Sequence, residues 1–247
     1  MKADPWIQLR LLNLQALDSA IERLGERRRS LPEVAATEAL SERLTALRDD
    51  VVRAETEVSD IARVQSRLEN EVEMVRTRAA RDRTRLESGQ ISSPKELANL
   101  QSEVTSLTRR QTSLEDDLLE VMENREVADA RAGELRKEAD QVGAERDEVA
   151  ARRDAAFAEI DTEAAAHRAE RATVAPTLPD PLIALYDRIR ATSGGVGAAA
   201  LVRHRCEGCH LELSGADLRA LAAAPVDEVV RCEECRRILV RTAESGL

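Results

Sequence analysis

The chain is nearly devoid of aromatic side chains, with one Phe (Phe157), one Tyr (Tyr186) and one Trp (Trp6) among 247 residues. Wide cores are filled by bulky rings, so a large globular interior is excluded as the dominant architecture. No stretch approaches 18 apolar residues, which excludes a membrane-spanning helix. There is also no glycine-rich phosphate loop, no G-x-S-x-G and no H-E-x-x-H motif. The three histidines have no nucleophile partner. No enzyme activity and no small-molecule substrate are therefore expected. The apolar patch from Trp6 to Leu17 is broken by Gln8, Arg10 and Asn13, and no small-residue cleavage site follows it, so it reads poorly as a signal peptide.

What is present is Ala, Leu, Glu and Arg, with 34% of residues charged. That composition marks long helices meeting along a narrow seam. Pro5 can open a helix, and Ile7, Leu11, Leu14, Leu17, Ile21 and Leu24 then fall three or four apart on one face. Pro32 ends or kinks that run. From Leu40 to Leu86, alternating steps of four and three hold for 14 seam positions, of which all but Gln65 and Asp82 are apolar. A second seam runs from Leu97 to Ile160 over 19 positions, with Gln111, Arg125, Arg146 and Arg153 as its polar members. Both are coiled-coil patterns.

Between the seams, Gly89 can stop one helix, and Ser93, Pro94 and Glu96 read as the N-cap, N1 proline and acidic partner of a capping box. The arms match in length, Pro5–Glu87 and Pro94–Thr173, each spanning roughly 120 Å if helical throughout. A short turn between equal amphipathic arms favours an antiparallel hairpin with its tip at 87–94 over a parallel dimer of one broken rod. The expected fold class is mainly α: residues 1–175 as an antiparallel coiled-coil hairpin, 176–200 as a linker with a short helix from Leu182 to Ala191, and 201–247 as a small zinc ribbon.

The chemistry lies in that last segment. Cys206-Glu-Gly-Cys209 and Cys232-Glu-Glu-Cys235 contain all four cysteines. Two C-x-x-C knuckles can close a tetrahedral shell of four sulfurs, the arrangement zinc favours, and four protein ligands leave no position open for water. One structural zinc ion is expected, in a reducing and hence cytoplasmic compartment rather than a disulfide scaffold. Such a short segment buries little by itself, so a metal is expected to supply folding energy. Ser214 and Asp217 read as a capping box opening a helix over 215–223, with Leu218 and Leu221 facing the metal, and strands are expected at 201–205 and 238–241. His204 and His210 sit beside the cysteines, but four thiolates already suffice.

Arg203, Arg205, Arg231, Arg236, Arg237 and Arg241 flank the knuckles and are the candidate partner-binding residues. They can form a phosphate-binding face, or they can balance the neighbouring acids on an ordinary solvated surface. The net charge of −10 and a pI near 5.1 argue against a nucleic acid lying along the whole chain. The partner is thus read as nucleic acid contacted by the ribbon or, alternatively, another protein held by ribbon and hairpin; a membrane is not expected.

The stretches Leu86–Leu97, Leu114–Glu123, Cys206–His210 and Cys232–Leu239 resemble a bacterial family of C4-type zinc-ribbon proteins with an N-terminal coiled-coil hairpin, described as nucleic-acid binding. The resemblance covers essentially the whole chain. It implies zinc on Cys206, Cys209, Cys232 and Cys235, and no established enzymatic activity. One branch of that family is linked, as a protein partner, to flagellar biogenesis and the regulation of its transcription. The family commonly has Gly directly after the last cysteine, where this chain has Arg236.

Overall fold

The computed structural model describes all residues, 1–247. Its elements in chain order are α1 (Pro5–Arg29), α2 (Pro32–Glu87), α3 (Pro94–Val174), a 3-10 turn (Ala175–Thr177), α4 (Asp180–Thr192), β1 (Ala198–Val202), β2 (Arg205–Cys206), α5 (Gly215–Ala223), β3 (Val230–Arg231) and β4 (Ile238–Arg241). Two long helical arms pack as a hairpin, and a small β region follows, as the seams and the knuckles imply. Proline opens α1, α2 and α3 at a position whose N–H has no intrahelical partner. The first helix ends rather than kinks: the Ser30 N–H closes on the Glu26 carbonyl, and Leu31, preceding Pro32, is disfavoured in α geometry.

The chain divides into two compact units, Ala36–Val149 and Met1–Ala35 with Ala150–Leu247. In the first, Leu44 and Leu47 of α2 are buried with Val142 of α3, flanked by Leu40, Leu135 and Ala139. Farther along, buried leucines (Leu100, Leu114) alternate with buried alanines, Ala54, Ala79, Ala128 and Ala132, each contributing less apolar area than a leucine. The polar seam residues meet one another: Arg125 donates to the Gln65 side-chain oxygen at 3.1 Å. Asp82 is buried with Arg78 and Arg81 at 4.0 Å. Arg43–Glu138, Arg136–Glu55 and Arg85–Glu96 pair across the arms at 2.6–2.8 Å. Exposed pairs of this kind are worth about 0–1 kcal/mol each, so their main effect is on register. At the tip Gly89 has φ +68°. The expected capping box at Ser93 does not close, because Glu96 turns across the tip to Arg85 instead of back to Ser93.

In the second unit, a four-stranded sheet of order β2-β1-β4-β3 pairs β1 with β4 in parallel and the outer strands antiparallel. Its two faces separate by the strand period of two. Ala198, Ile238 and Val240 face Leu11 and Leu14 of α1 and Leu182, Tyr186 and Ile189 of α4. Ala199, Leu201 and Leu239 face Leu221 and the cysteines. Residues 176–200 are therefore no mere linker, since α4 supplies the centre of a core. Gln15 of α1 accepts from the Gly197 N–H at 2.7 Å and donates to the Gly195 carbonyl at 3.0 Å, stitching helix to strand. Asp18, also on α1, is fully buried; it accepts from Arg171 at 2.6 Å and from the Tyr186 hydroxyl at 2.8 Å, with Arg190 at 3.6 Å. Burial and the bond to Asp18 both push the Tyr186 hydroxyl above its ordinary pKa. Residues 1–3 extend along the loop before β3: Ala3 donates to the Asp227 carbonyl and Val229 to that of Met1.

Candidate metal centre

Each knuckle is a tight loop whose backbone points at sulfur. The N–H groups of Gly208 and Cys209 bond the Cys206 sulfur, and those of Glu234 and Cys235 bond the Cys232 sulfur. The loops close alike: His210 donates to the Cys206 carbonyl at 2.7 Å and Arg236 to the Cys232 carbonyl at 2.9 Å. Both closing residues have φ +60°. That is the left-handed region, where a non-glycine residue costs about 1–2 kcal/mol. Arg236, standing where the resembling family has glycine, thus adopts the glycine conformation and carries its strain.

The four sulfurs lie within 4.8 Å of one another, with Cys206–Cys235 and Cys209–Cys232 both at 3.9 Å. No pair is a disulfide. Sulfurs held tetrahedrally at 2.3 Å from one ion stand roughly 3.8 Å apart, so the donor set and its spacing fit a four-thiolate metal site. Burial pushes the Cys206 thiol up to about 12 and raises Cys232 as well, so a cation's field is needed to hold both as thiolates at neutral pH. Burial acts against Cys235 too, but the Arg237 N–H and side chain bring it down to about 7. Leu221 packs against this group, as does Leu213; Leu218 does not. Ser214 caps α5, accepting from the Asp217 N–H at 3.2 Å and donating to its carboxylate at 2.7 Å. Neither His204 nor His210 joins the sulfur cluster: His204 bonds the Gly246 carbonyl at 2.8 Å, and His210 sits 3.8 Å from Glu207.

The six flanking arginines separate into two groups. Arg237 donates to the carbonyls of Ser193, Val196 and Gly208 at 2.6–3.0 Å. Arg241 donates to those of Leu221, Ala224, Pro225, Val226 and Glu228 at 2.7–3.3 Å, closing the C-terminus of α5 and the loop after it. Their donors are spent inside the ribbon. Arg205 pairs with Glu207 at 2.9 Å and Arg236 with Glu233 at 2.9 Å, while Arg231 bonds the Arg236 carbonyl at 2.8 Å. Arg203 is exposed in the β1–β2 turn, where it lines a shallow recess with Arg205, Glu212 and Glu244. Sequence reasoning missed Gln15 and Asp18, which are single polar residues on an otherwise ordinary amphipathic helix.

Comparison with known proteins places these features in a family. Residues 14–194 match a CT398-like coiled coil hairpin domain, and residues 205–239 match a C4-type zinc ribbon domain. The chain is 41% identical over 241 residues to the protein Rv2229c of Mycobacterium tuberculosis, covering 98% of each. It is similar to a solved structure from Mycobacterium smegmatis, with TM-score 0.86 and 33% identity, covering 98% of this chain and 100% of that one. CT398 from Chlamydia trachomatis shares the fold at TM-score 0.69 and 18% identity, covering 96% and 98%. With a coiled-coil hairpin match over most of its length and a C4-type zinc ribbon match after it, the chain belongs to the family of CT398-like coiled-coil hairpin proteins.

Proposed function

We propose that this is a non-catalytic, cytoplasmic binding protein whose ribbon, held by one zinc ion on Cys206, Cys209, Cys232 and Cys235, docks onto another protein. The ion's chemistry would be structural: bound by four thiolates, it would offset half of their charge and tie the two knuckles together. The observation that carries the protein-binding reading is the fate of the arginines. Arg237 and Arg241 are taken up by backbone carbonyls, and Arg205 and Arg236 are matched by carboxylates. A phosphate-binding face needs unspent positive charge, and little is left. The ribbon region instead exposes apolar side chains, Leu211 at 51% and Val226 at 72%. Exposed apolar side chains of that kind favour association by the surface a partner removes from water.

A nucleic-acid function would rest on Arg203 and Arg231, together with Arg205 and Arg236 if phosphate displaces their carboxylate partners. The zinc-loaded chain is titrated with labelled single- and double-stranded DNA and RNA across a salt series, beside a variant carrying Arg231→Ser and Arg236→Ser. The protein-binding reading expects no steep salt dependence and no difference between the two proteins. Binding that falls with salt and disappears in the variant replaces it with the nucleic-acid reading. The positive arm is photo-crosslinking from positions 211 and 226: a protein partner caught there, and lost with Leu211→Ser and Val226→Ser, supports the proposal.

A further inference from the structure

In the unit 36–149, the charges are sorted by position along the hairpin. Residues 76–110, around the tip, carry eight basic residues against four acids. Residues 53–75 and 111–132, the next level of the two arms, together carry 13 carboxylates against five arginines. The change of sign falls along a single face of α3. Opposite its seam, an exposed stripe runs in steps of three and four from Ala98 through Arg109 and Asp116 to Val127. Before residue 113 its members are small apart from Arg109: Ser102, Thr105 and Thr112. After it they are Asp116, Glu120 and Glu123, ending in Val127, which is 71% exposed.

The charges on this stripe are unspent. Lys95, Arg109, Asp116, Glu120 and Glu123 are all exposed and make no ion pair within the chain. Beside them Leu119 and Met122 are exposed at 58% and 40%. A solvated helix face usually alternates its charges and matches them locally at i+4. Here like charges are grouped, and the two groups complement each other across the middle of one helix.

We infer that this face of α3 binds a second copy of the same chain, the two helices running antiparallel about a two-fold axis at the level between Leu114 and Glu115. An isologous contact needs a self-complementary patch, and the sign reversal supplies one. In this register Arg109 lies against the second copy's unpaired Glu120 and Glu123, and Lys95 lies against the second copy's Glu134, which Lys137 of its own helix shares. Ser102 faces the second copy's Val127, and the small residues allow the close approach that helix packing requires. The one like-charge meeting along the stripe is that of Asp116 with the second copy's Asp116, about 4.5 Å apart along the axis, against the opposite-sign contacts of Arg109 and Lys95 from both copies. A polyanion fits less well: the exposed Leu119, Met122 and Val127 offer it nothing, the unit has no aromatic side chain for stacking, and the carboxylates beside the tip repel it.

The test is sedimentation velocity of the zinc-loaded full-length chain at about 100 µM in about 50 mM and about 500 mM NaCl. One variant reverses the basic half (Lys95→Glu, Arg109→Glu) and another the acidic half (Glu120→Arg, Glu123→Arg). All four positions are exposed, and circular dichroism verifies the fold of each variant. Wild type is expected to dimerise in low salt, and each variant alone to dimerise about tenfold or more weakly. An equimolar mixture of the two variants is expected to recover the dimer, because each acidic end again meets a basic one. A wild type that stays monomeric in low salt, or a dimer indifferent to both reversals, overturns the inference. A monomer that captures duplex RNA through Arg109 overturns it too and assigns the face to a polyanion.

Discussion

The two compact units bury their side chains by different means. In residues 36–149 the arms touch along one narrow seam, and the buried positions are leucines interspersed with alanines. In the unit built from 1–35 and 150–247, a sheet is covered on one face by α1 and α4 and on the other by the thiolate cluster. Substitutions in the first unit should therefore act locally and weakly. In the second, one side chain often serves several elements, as Asp18 does for α1, α3 and α4.

The largest expected effect is loss of the metal. Zinc binding to four-thiolate sites of this kind releases roughly 10 kcal/mol or more, so chelation or Cys232→Ser should unfold the sheet's metal-facing side. Backbone amide NMR should show resonances of 198–241 collapsing while far-ultraviolet circular dichroism retains most of its helical signal. A proportional loss of helix would instead mean that the units are not separable in this way. Next comes Asp18→Ala, which leaves the Tyr186 hydroxyl without its acceptor and Arg171 and Arg190 with only the more distant Asp187 and Glu22. Removing one partner of a buried pair costs about 3–5 kcal/mol, and the partial exposure of both arginines favours the low end. Thermal denaturation monitored at the single tyrosine reports it.

A matched pair of glycine substitutions sharpens the contrast. A Cβ at Gly197 would meet the Tyr186 ring and carbonyl at 2.7–2.8 Å, so Gly197→Ala must displace the core, at a cost of about 2 kcal/mol or more. At Gly89 nothing lies within 4 Å, and Gly89→Ala costs only the left-handed backbone, about 1 kcal/mol. Denaturant melts of the two variants compare them directly. Smaller still, and opposite in sign, is Arg236→Gly: it relieves the left-handed strain but loses the pair with Glu233, for a net gain of about 0.5–1 kcal/mol in the zinc-loaded chain. The smallest effect is at Lys2–Asp227. The hydrogen bond to Lys2 lowers the Asp227 pKa. Its folded value therefore lies below its unfolded one, so this contribution is complete above the ordinary carboxylate range and disappears as pH falls through the lowered value. Lys2→Ala should flatten that part of the stability–pH curve: its small loss of stability appears at neutral pH and vanishes below the lowered value, as pH-dependent denaturant melts can show.

Much of this was legible in the sequence because it is periodic or closely spaced. The seams from Leu40 and Leu97 show the hairpin, C-x-x-C twice shows the sulfur cluster, and Ser214 with Asp217 marks the start of α5. What could not be read depends on contacts between distant parts of the chain. Nothing local says that Leu182 and Tyr186 belong under β1 and β4, or that Gln15 reaches a glycine backbone 182 residues away. Arg237 and Arg241 look like surface charge because a sequence shows a side chain's valence but not the carbonyls it finds. Glu96 misled for a related reason: a cross-tip arginine outcompeted the local cap.

The burial of α1 against β1 and β4 has a consequence for biosynthesis. The apolar stripe of Leu11 and Leu14 is among the first parts of the chain to be translated, yet the surfaces that cover it come from residues 178–240. At about 5–20 residues per second, those surfaces follow roughly 10–40 s later. During that interval α2 and α3 can close on one another through contacts already made, while the leading helix waits with its greasy side uncovered. The nascent protein is thus a ready client for a ribosome-associated chaperone until the segment from Leu178 onward arrives.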